Sequence, residues 1–215
     1  MASRLCADPV RRTVLIFAKP PRMGLSKTRL ARSLGSASEA RRIAVMTMAV
    51  TLRATMRGPW QTVLYTAPDS ALTQSLGGLW PPHLTRRSQG SGDLTARLNR
   101  GLSEALPGPL LFIGSDAPDI CAAHIRRAFR LLQSHDAVFG PASDGGFWLF
   151  GLNQTKRTRS PFDNVRWSGP HAMEDVWGNL PEHSRIGLLP ELIDIDDADD
   201  WATWRSQKHH HIDAK

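Results

Sequence analysis

Five short segments of the chain carry residue types suited to phosphate, metal and hydroxyl chemistry. In the first, Lys19-Pro-Pro-Arg-Met-Gly-Leu-Ser-Lys27-Thr-Arg29, the cations Lys19, Lys27 and Arg29 fall within eleven residues, and Gly24 permits a close backbone approach. A di- or triphosphate needs that combination of backbone donors with Lys and Arg. A solvated basic surface loop is the plainer alternative. The segment is not a Walker loop, because Ser26 stands where the glycine before Lys27 belongs and Pro21 where the first glycine belongs. That argues against a P-loop kinase.

The second segment, Gly114-Ser-Asp116-Ala-Pro-Asp119, puts two carboxylates at the end of an apolar run. Carboxylate oxygen suits hard ions such as Mg²⁺ or Mn²⁺. Asp116 reads as the metal ligand and Asp119 as the cap of the following helix. Ser115 directly follows Gly114, so the G-x-S-x-G elbow of a serine hydrolase does not fit. In the third segment, Ser143-Asp144-Gly145-Gly146-Phe147-Trp148, two glycines permit a sharp turn with a ligand pressed against the backbone. An Asp-Gly pair is equally a common hairpin signal. The aromatic pair could face the core on one side and form a stacking wall on the other.

The fourth segment, Gln89-Gly-Ser-Gly92-Asp93, offers Gln89 to a base edge and Asp93 as a helix N-cap. In the fifth, Asp194-Ile-Asp196-Asp197, strand alternation puts Asp194 and Asp196 on one side, where one of them could complete the metal site. An acidic helix start accounts for the same residues.

These loops need a frame that brings their ends together. Thr13–Ala18 is short, β-rich and continuously apolar, as a parallel strand buried on both faces should be. Thr62–Thr66, Leu110–Gly114, Asp136–Gly140 and Gly146–Leu152 read as further strands. Between them lie a helical stretch from Ser38 to Met56, a helix marked by Leu94, Leu98, Leu102 and Leu106, and one lined by Ile125, Ala128, Phe129 and Leu132. Leu192–Trp204 reads as a short strand running into an aspartate-capped helix. Alternating strands and helices predict an α/β fold, a three-layer α/β/α arrangement with a mostly parallel sheet. Ligands bind such sheets outside the carboxyl ends of the strands, where the polar segments fall.

The length of 215 residues suits one compact domain, 13–206, between an N-terminal tail (1–12) and a C-terminal tail (207–215). No apolar run is long enough to span a membrane, and the N-terminus lacks the apolar core of a secretory signal. Cys6 and Cys121 are too few for a disulfide scaffold, so a cytoplasmic location is expected. The net charge of +7 is scattered, with no basic helix stripe, helix-turn-helix or zinc-finger spacing, which argues against nucleic acid. His124, His135 and His171 lack metal-ligand spacing, His209–His211 form a short run in the expected tail, and Trp201 with Trp204 reads as helix packing.

Taken in order, FAKPPRMGLSKTRLA (17–31), QGSGDLTARL (89–98), FIGSDAPDI (112–120), HDAVFGPASDGGFWLFGL (135–152), VRWS (165–168) and DIDDADDW (194–201) resemble a bacterial family related to nucleotide-diphospho-sugar transferases, with a GT-A-like fold. The family's K-T-R-L loop, G-S-D-x-P-D motif and D-G-G-aromatic-aromatic motif all occur, and the resemblance runs through nearly the whole domain. Its members are commonly described as glycosyltransferases, and the same architecture serves guanylyltransferases for phospholactate and for the molybdenum cofactor. The chain departs from the family pattern at Arg22-Met23, at Leu98 and at Trp167-Ser168-Gly169.

The resemblance implies a metal-dependent transferase acting on a nucleotide-activated substrate. Ala18, Lys19, Gly24, Lys27, Arg29, Gln89 and Gly92 would bind the nucleotide, and Asp116 with Asp196 would bind Mg²⁺ or Mn²⁺. Asp144, Gly145 and Gly146 would hold the acceptor or sugar, with Asp144 as base and Glu174 and Asp175 as weaker candidates. Glycosyl transfer from a nucleotide-diphospho-sugar leads. Nucleotidyl transfer from a nucleoside triphosphate, releasing pyrophosphate, is the alternative, and a nucleotide-binding scaffold without turnover is the reading from another class. The expected partners are a nucleotide sugar or nucleoside triphosphate and an acceptor of unknown identity, with homodimer formation left open.

Overall fold

The computed structural model describes residues 11–213, with side chains through Lys208; Cys6 and the side chains of His209–His211 lie outside the described residues. Seven strands form one sheet: β1 (Thr13–Ala18), β2 (Gln61–Thr66), β3 (Thr85–Ser88), β4 (Gly108–Ile113), β5 (Ala137–Pro141), β6 (Phe147–Gln154) and β7 (Ile186–Leu188). Their spatial order is β3-β2-β1-β4-β6-β5-β7. β1 pairs in parallel with β2 and β4, β2 with β3, and β5 with β7, while β6 runs antiparallel to both its neighbours. The reversal has a local cause: the Ala142–Gly146 turn between β5 and β6 is too short for a crossover, so the two strands must form a hairpin.

Alternation along the strands divides the core. Val14 and Ile16 of β1 pack with Met48 and Leu52 of α2 (Ala37–Thr55) and with Ile125 and Phe129 of α4 (Ala122–Leu131). Leu15 turns to the other face, with Leu98 and Leu102 of α3 (Leu94–Glu104) and Val176 of α5 (Ala172–Gly178). The predicted three-layer α/β/α architecture is therefore present. Each fully buried Leu- or Ile-sized side chain contributes about 1.5–3 kcal/mol. A third cluster ties α1 (Thr28–Ser33) and α2 to α6 (Ala198–Asp213) through Leu30, Ile43, the preceding Ile195, and Trp201 and Trp204 of α6.

Sheet order places the site. Chain connections run from β1 outward to β3 and then return to the opposite side of β1 at β4. Loops leaving the carboxyl ends of β1 and β4 thus diverge at a topological switch point and open a cleft. Those loops are Lys19–Lys27 and Gly114–Cys121.

Several local expectations change. Ser36, not Ser38, caps α2, its side chain accepting from Glu39 N at 3.2 Å. α3 ends before Leu106, which is exposed, and Leu94 is 40% exposed at the mouth of the cleft rather than in the core. Asp119 caps nothing: Cys121 precedes α4, and the Asp119 carboxylate accepts from Trp204 Nε1 at 2.9 Å and pairs with Lys208. The expected strand at Leu192–Asp196 reduces to one bridge between Ala142 and Leu192. Asp197 does cap the last helix, accepting from Asp199 N at 2.9 Å and Asp200 N at 3.1 Å, and that helix continues into the stretch expected as a C-terminal tail.

Candidate functional site

Pro20 and Pro21 carry the chain away from β1 and are buried, and a turn through Arg22 brings it back to Lys27. Lys27 precedes α1 with φ 51°, ψ 41°, a left-handed conformation uncommon outside glycine. Such backbone persists where surrounding contacts fix it, and here the side chain does so. Lys27 Nζ lies 2.9 Å from Asp116 Oδ1 and 3.1 Å from Asp196 Oδ1, and it also donates to the Ile195 carbonyl. The Lys27 side chain is only 6% exposed, against 39% for Asp116 and 47% for Asp196. Burial works against the ammonium, but the two carboxylates outweigh it and hold its pKa above the ordinary lysine value. Ile195 N donates to the Asp116 carbonyl at 3.1 Å, so the segment carrying Asp196 is pinned to the loop carrying Asp116.

Around this triad lies a cavity of about 350 Å³ lined by Ala18, Lys19, Ser26, Lys27, Arg29, Gln89, Arg97, Asp116 and Asp196. Arg29 reaches to 3.8 Å from Asp196. The Gln89 amide is buried and already committed: Nε2 donates to the Tyr65 carbonyl at 2.9 Å and the Ala18 carbonyl at 3.4 Å, while Oε1 accepts from Arg97 at 3.1 Å. Gln89 therefore braces the ends of β1 and β2 and orients Arg97, in place of the free amide expected for a base edge. Gly24 and Gly92 both have positive φ but do not line the cavity.

Across Asp116 a second cavity of about 300 Å³ is lined by Phe17, Leu94, Asp116, Asp144, Gly146, Phe147, Trp148, Trp167 and Asp194, among others. Asp144 sits on the β5–β6 hairpin, its Oδ1 accepting from Gly146 N at 2.9 Å. Only glycine fits at 145: φ is 84°, and an added Cβ would stand 2.3 Å from the Pro170 carbonyl oxygen. The hairpin is present, with Asp144 and Gly146 lining the cavity and Gly145 outside its lining. Its aromatic pair splits as expected, Trp148 being buried in the core while Phe147 is half-buried against the cavity. Trp167 is fixed by its indole N–H, which donates to Thr95 Oγ1 on α3 at 2.8 Å.

The sequence offered Asp194 only as one of two carboxylates, with Asp196, that could complete the metal site, and it marked neither Arg97, Ser26 nor Trp167 as a site residue. Asp194 is partly exposed as a whole, yet its Oδ1 is closed off and has no hydrogen-bond partner. Burial, then the Asp116 charge, push its carboxyl well above the ordinary aspartate value; Lys27 opposes this, and Asp144 and Asp196 add to it. Ser26 Oγ is likewise buried and unpartnered beside Lys27. Glu174 and Asp175 do not line either cavity; they pair with Arg166, next to Trp167.

No group of three or more His, Cys, Asp or Glu among the described residues is placed to hold a metal by itself. Asp116 and Asp196 share Lys27 Nζ between their Oδ1 atoms and so present hard carboxylate oxygens close to one another. Mg²⁺ is commonly held by one or two carboxylates, with substrate phosphates and water filling the rest of its shell. The donor set fits that mode. Among the described residues, no helix is long and apolar enough to cross a membrane.

Comparison with solved structures places this architecture among nucleotide-diphospho-sugar transferase folds. A candidate nucleotide-diphospho-sugar transferase from Desulfovibrio desulfuricans G20 is 25% identical, with a TM-score of 0.75 over 88% of this chain and 84% of that one. A nucleotidyl transferase from Methanothermobacter thermautotroptrophicus shares the fold at 15% identity, with a TM-score of 0.56 over 92% and 97% of the two chains. Rv0371c from Mycobacterium tuberculosis H37Rv, in complex with manganese, shares it at 15% identity, with a TM-score of 0.51 over 90% and 97%. No curated protein matches the chain by sequence. Residues 50–169 match a family described as an uncharacterized protein conserved in bacteria, DUF2064.

Proposed function

The chain belongs to the bacterial DUF2064 family, and on that premise we propose that it is a metal-dependent glycosyltransferase using a nucleotide-diphospho-sugar. One observation carries the reading: two cavities of opposite character meet at Asp116, one with Lys19, Lys27, Arg29 and Arg97, the other with Asp144, Asp194 and an aromatic wall. The first suits a diphosphate, whose oxygens Lys and Arg neutralise. The second suits the acceptor.

Lys19, Arg29 and Arg97 bind and orient the diphosphate, and Lys27 holds Asp116 and Asp196 at a fixed spacing. Asp116 and Asp196 would hold Mg²⁺ or Mn²⁺, which would supply charge stabilisation for the leaving diphosphate. An acceptor hydroxyl oxygen forms the new bond to the anomeric carbon. The bond from that carbon to the diphosphate breaks, its electron pair leaves with the nucleoside diphosphate, and the hydroxyl proton passes to Asp144. Asp144 is solvent-exposed at the cavity mouth, where it can return that proton to water.

Nucleotidyl transfer remains the second reading, favoured by the number of cations: no ion pair among the described residues engages Lys19 or Arg97, enough positive charge for a triphosphate. A melting-temperature panel of nucleoside diphosphates, triphosphates and nucleotide sugars, with and without Mn²⁺, separates the two. A ligand that binds only the folded state raises Tm. The expected result is a metal-dependent rise with UDP- or GDP-type ligands that disappears in Asp116→Ala. A rise with triphosphates alone selects nucleotidyl transfer, and no rise with any nucleotide sinks both.

A further inference from the structure

Resting on the reading that this cleft joins a nucleotide-activated donor to an acceptor, we infer that the acceptor cavity takes an uncharged polyhydroxylated ring, a pyranose or a cyclitol, and rejects its phosphorylated forms. The argument starts from charge. No Lys, Arg or His lines this cavity, whereas Asp116, Asp144 and Asp194 do. A phosphate ester placed there meets the Asp144 carboxylate with no Lys, Arg or His in the lining to offset its charge. Rejection of this kind is specificity built from repulsion.

Hydrogen-bond supply points the same way. The exposed Asp144 carboxylate in the lining accepts from a ring hydroxyl, whereas an ionised phosphate oxygen only accepts and brings it no donor. The walls complete the match. The Trp167 N–H is already spent on Thr95, so that ring offers the cavity hydrocarbon rather than a polar edge. Phe147 lies against it, ring centroids 6.2 Å apart at 64°. A pyranose has the same two-sidedness, an apolar C–H face and a rim of hydroxyls, so the face meets the rings while the rim reaches the carboxylates. At about 300 Å³ the cavity is at the small end of ligand pockets and suits one ring.

Saturation-transfer NMR on the full chain with Mg²⁺ and UDP tests this. The probes are methyl glucoside, methyl galactoside and myo-inositol, set against glucose 6-phosphate and myo-inositol 1-phosphate. At least one neutral probe should bind about tenfold or more tightly than its phosphate ester, and Trp167→Leu should weaken it by a similar factor. Because Trp167→Leu could disturb its loop, a second variant uses exposed Asp144. Asp144→Lys introduces the missing cation and should shrink the preference for the neutral probe by about tenfold. Phosphate esters binding as well as or better than the neutral probes, no neutral probe binding, or an unchanged preference in Asp144→Lys would each overturn the inference. A chain that shows no nucleotide-dependent Tm rise but keeps the probe ranking would refute the transferase reading alone.

Discussion

The two cavities share Phe17, Leu94 and Asp116 and no other lining residue. The larger collects its cations from the loop after β1, from α1 and from α3. The smaller takes Asp144, Phe147 and Trp148 from the β5–β6 hairpin, Trp167 from the loop before α5 and Asp194 from the segment after β7. One segment serves both, because Asp196 turns into the cationic cavity and Asp194 into the acidic one, with Ile195 buried between them. Such a division keeps two kinds of recognition apart: phosphate charge is neutralised on one side, while the side that holds the nucleophile offers a phosphate no positive side chain. Changes that act on both cavities should therefore have larger effects than changes confined to one.

Asp116 belongs to both and should give the largest effect. Asp116→Ala removes a metal oxygen, one partner of Lys27 and a wall of the acceptor cavity. Loss of a single preorganised charge-stabilising group commonly costs about 10²–10³ in rate, so steady-state turnover should fall by at least that factor. Variant turnover within tenfold of wild type would show that the cavities do not meet functionally at this residue.

Lys27→Met should act mainly on the cationic side. Nucleotide affinity, read by isothermal calorimetry, should drop by roughly 10- to 100-fold, corresponding to about 1.4–2.8 kcal/mol. Asp116 and Asp196 are 39% and 47% exposed and can rehydrate once the ammonium is gone. The folding penalty should thus stay below the roughly 3–5 kcal/mol of a fully buried broken pair. Neutral-probe binding in the acceptor cavity should change far less than nucleotide binding. Equal losses on both sides would contradict the division.

The same contrast explains what the sequence discloses. The cationic loop is legible because its residues lie close together after an unmistakable strand: β1 begins and ends where the apolar run does, and Lys19, Lys27 and Arg29 all line the cavity. Asp116 was legible for the same reason. The acidic cavity is assembled from segments distant in sequence, so Trp167 carried no local signal of a site role and Asp194 was legible only as a carboxylate near Asp196. Strand alternation even misassigned Asp194, placing it beside Asp196, because the Leu192–Asp196 segment forms one bridge and then leaves the sheet. Gln89 failed differently. Its type suggested a ligand contact, but burial at the ends of β1 and β2 consumed its hydrogen-bonding capacity within the protein. Arg97 could have been suspected from its place in the first turns of α3, just after the Asp93 cap.

The smallest effect should come from a residue that touches neither cavity. Asp175 accepts from Arg166 N at 2.8 Å and from the Arg166 guanidinium at 2.6 and 2.9 Å, clamping the loop that carries Trp167 onto α5. The Arg166 side chain, then its backbone N–H, hold the Asp175 carboxyl down at about 2, below its ordinary 3.8. A depressed carboxyl stabilises the fold above its unfolded value and ceases to do so as pH falls through the folded one. The wild type should therefore melt above Asp175→Asn by a constant margin from pH 7 down to about 4, and the margin should shrink between about pH 4 and pH 2. At neutral pH the variant should bind neutral probes a few-fold more weakly while its nucleotide-dependent Tm rise is unchanged, because a looser Trp167 degrades only the aromatic wall. A Tm margin that stays flat below pH 4 would show that the ion pair does not hold this loop, and a matching loss of nucleotide binding would show that the two cavities are coupled through it.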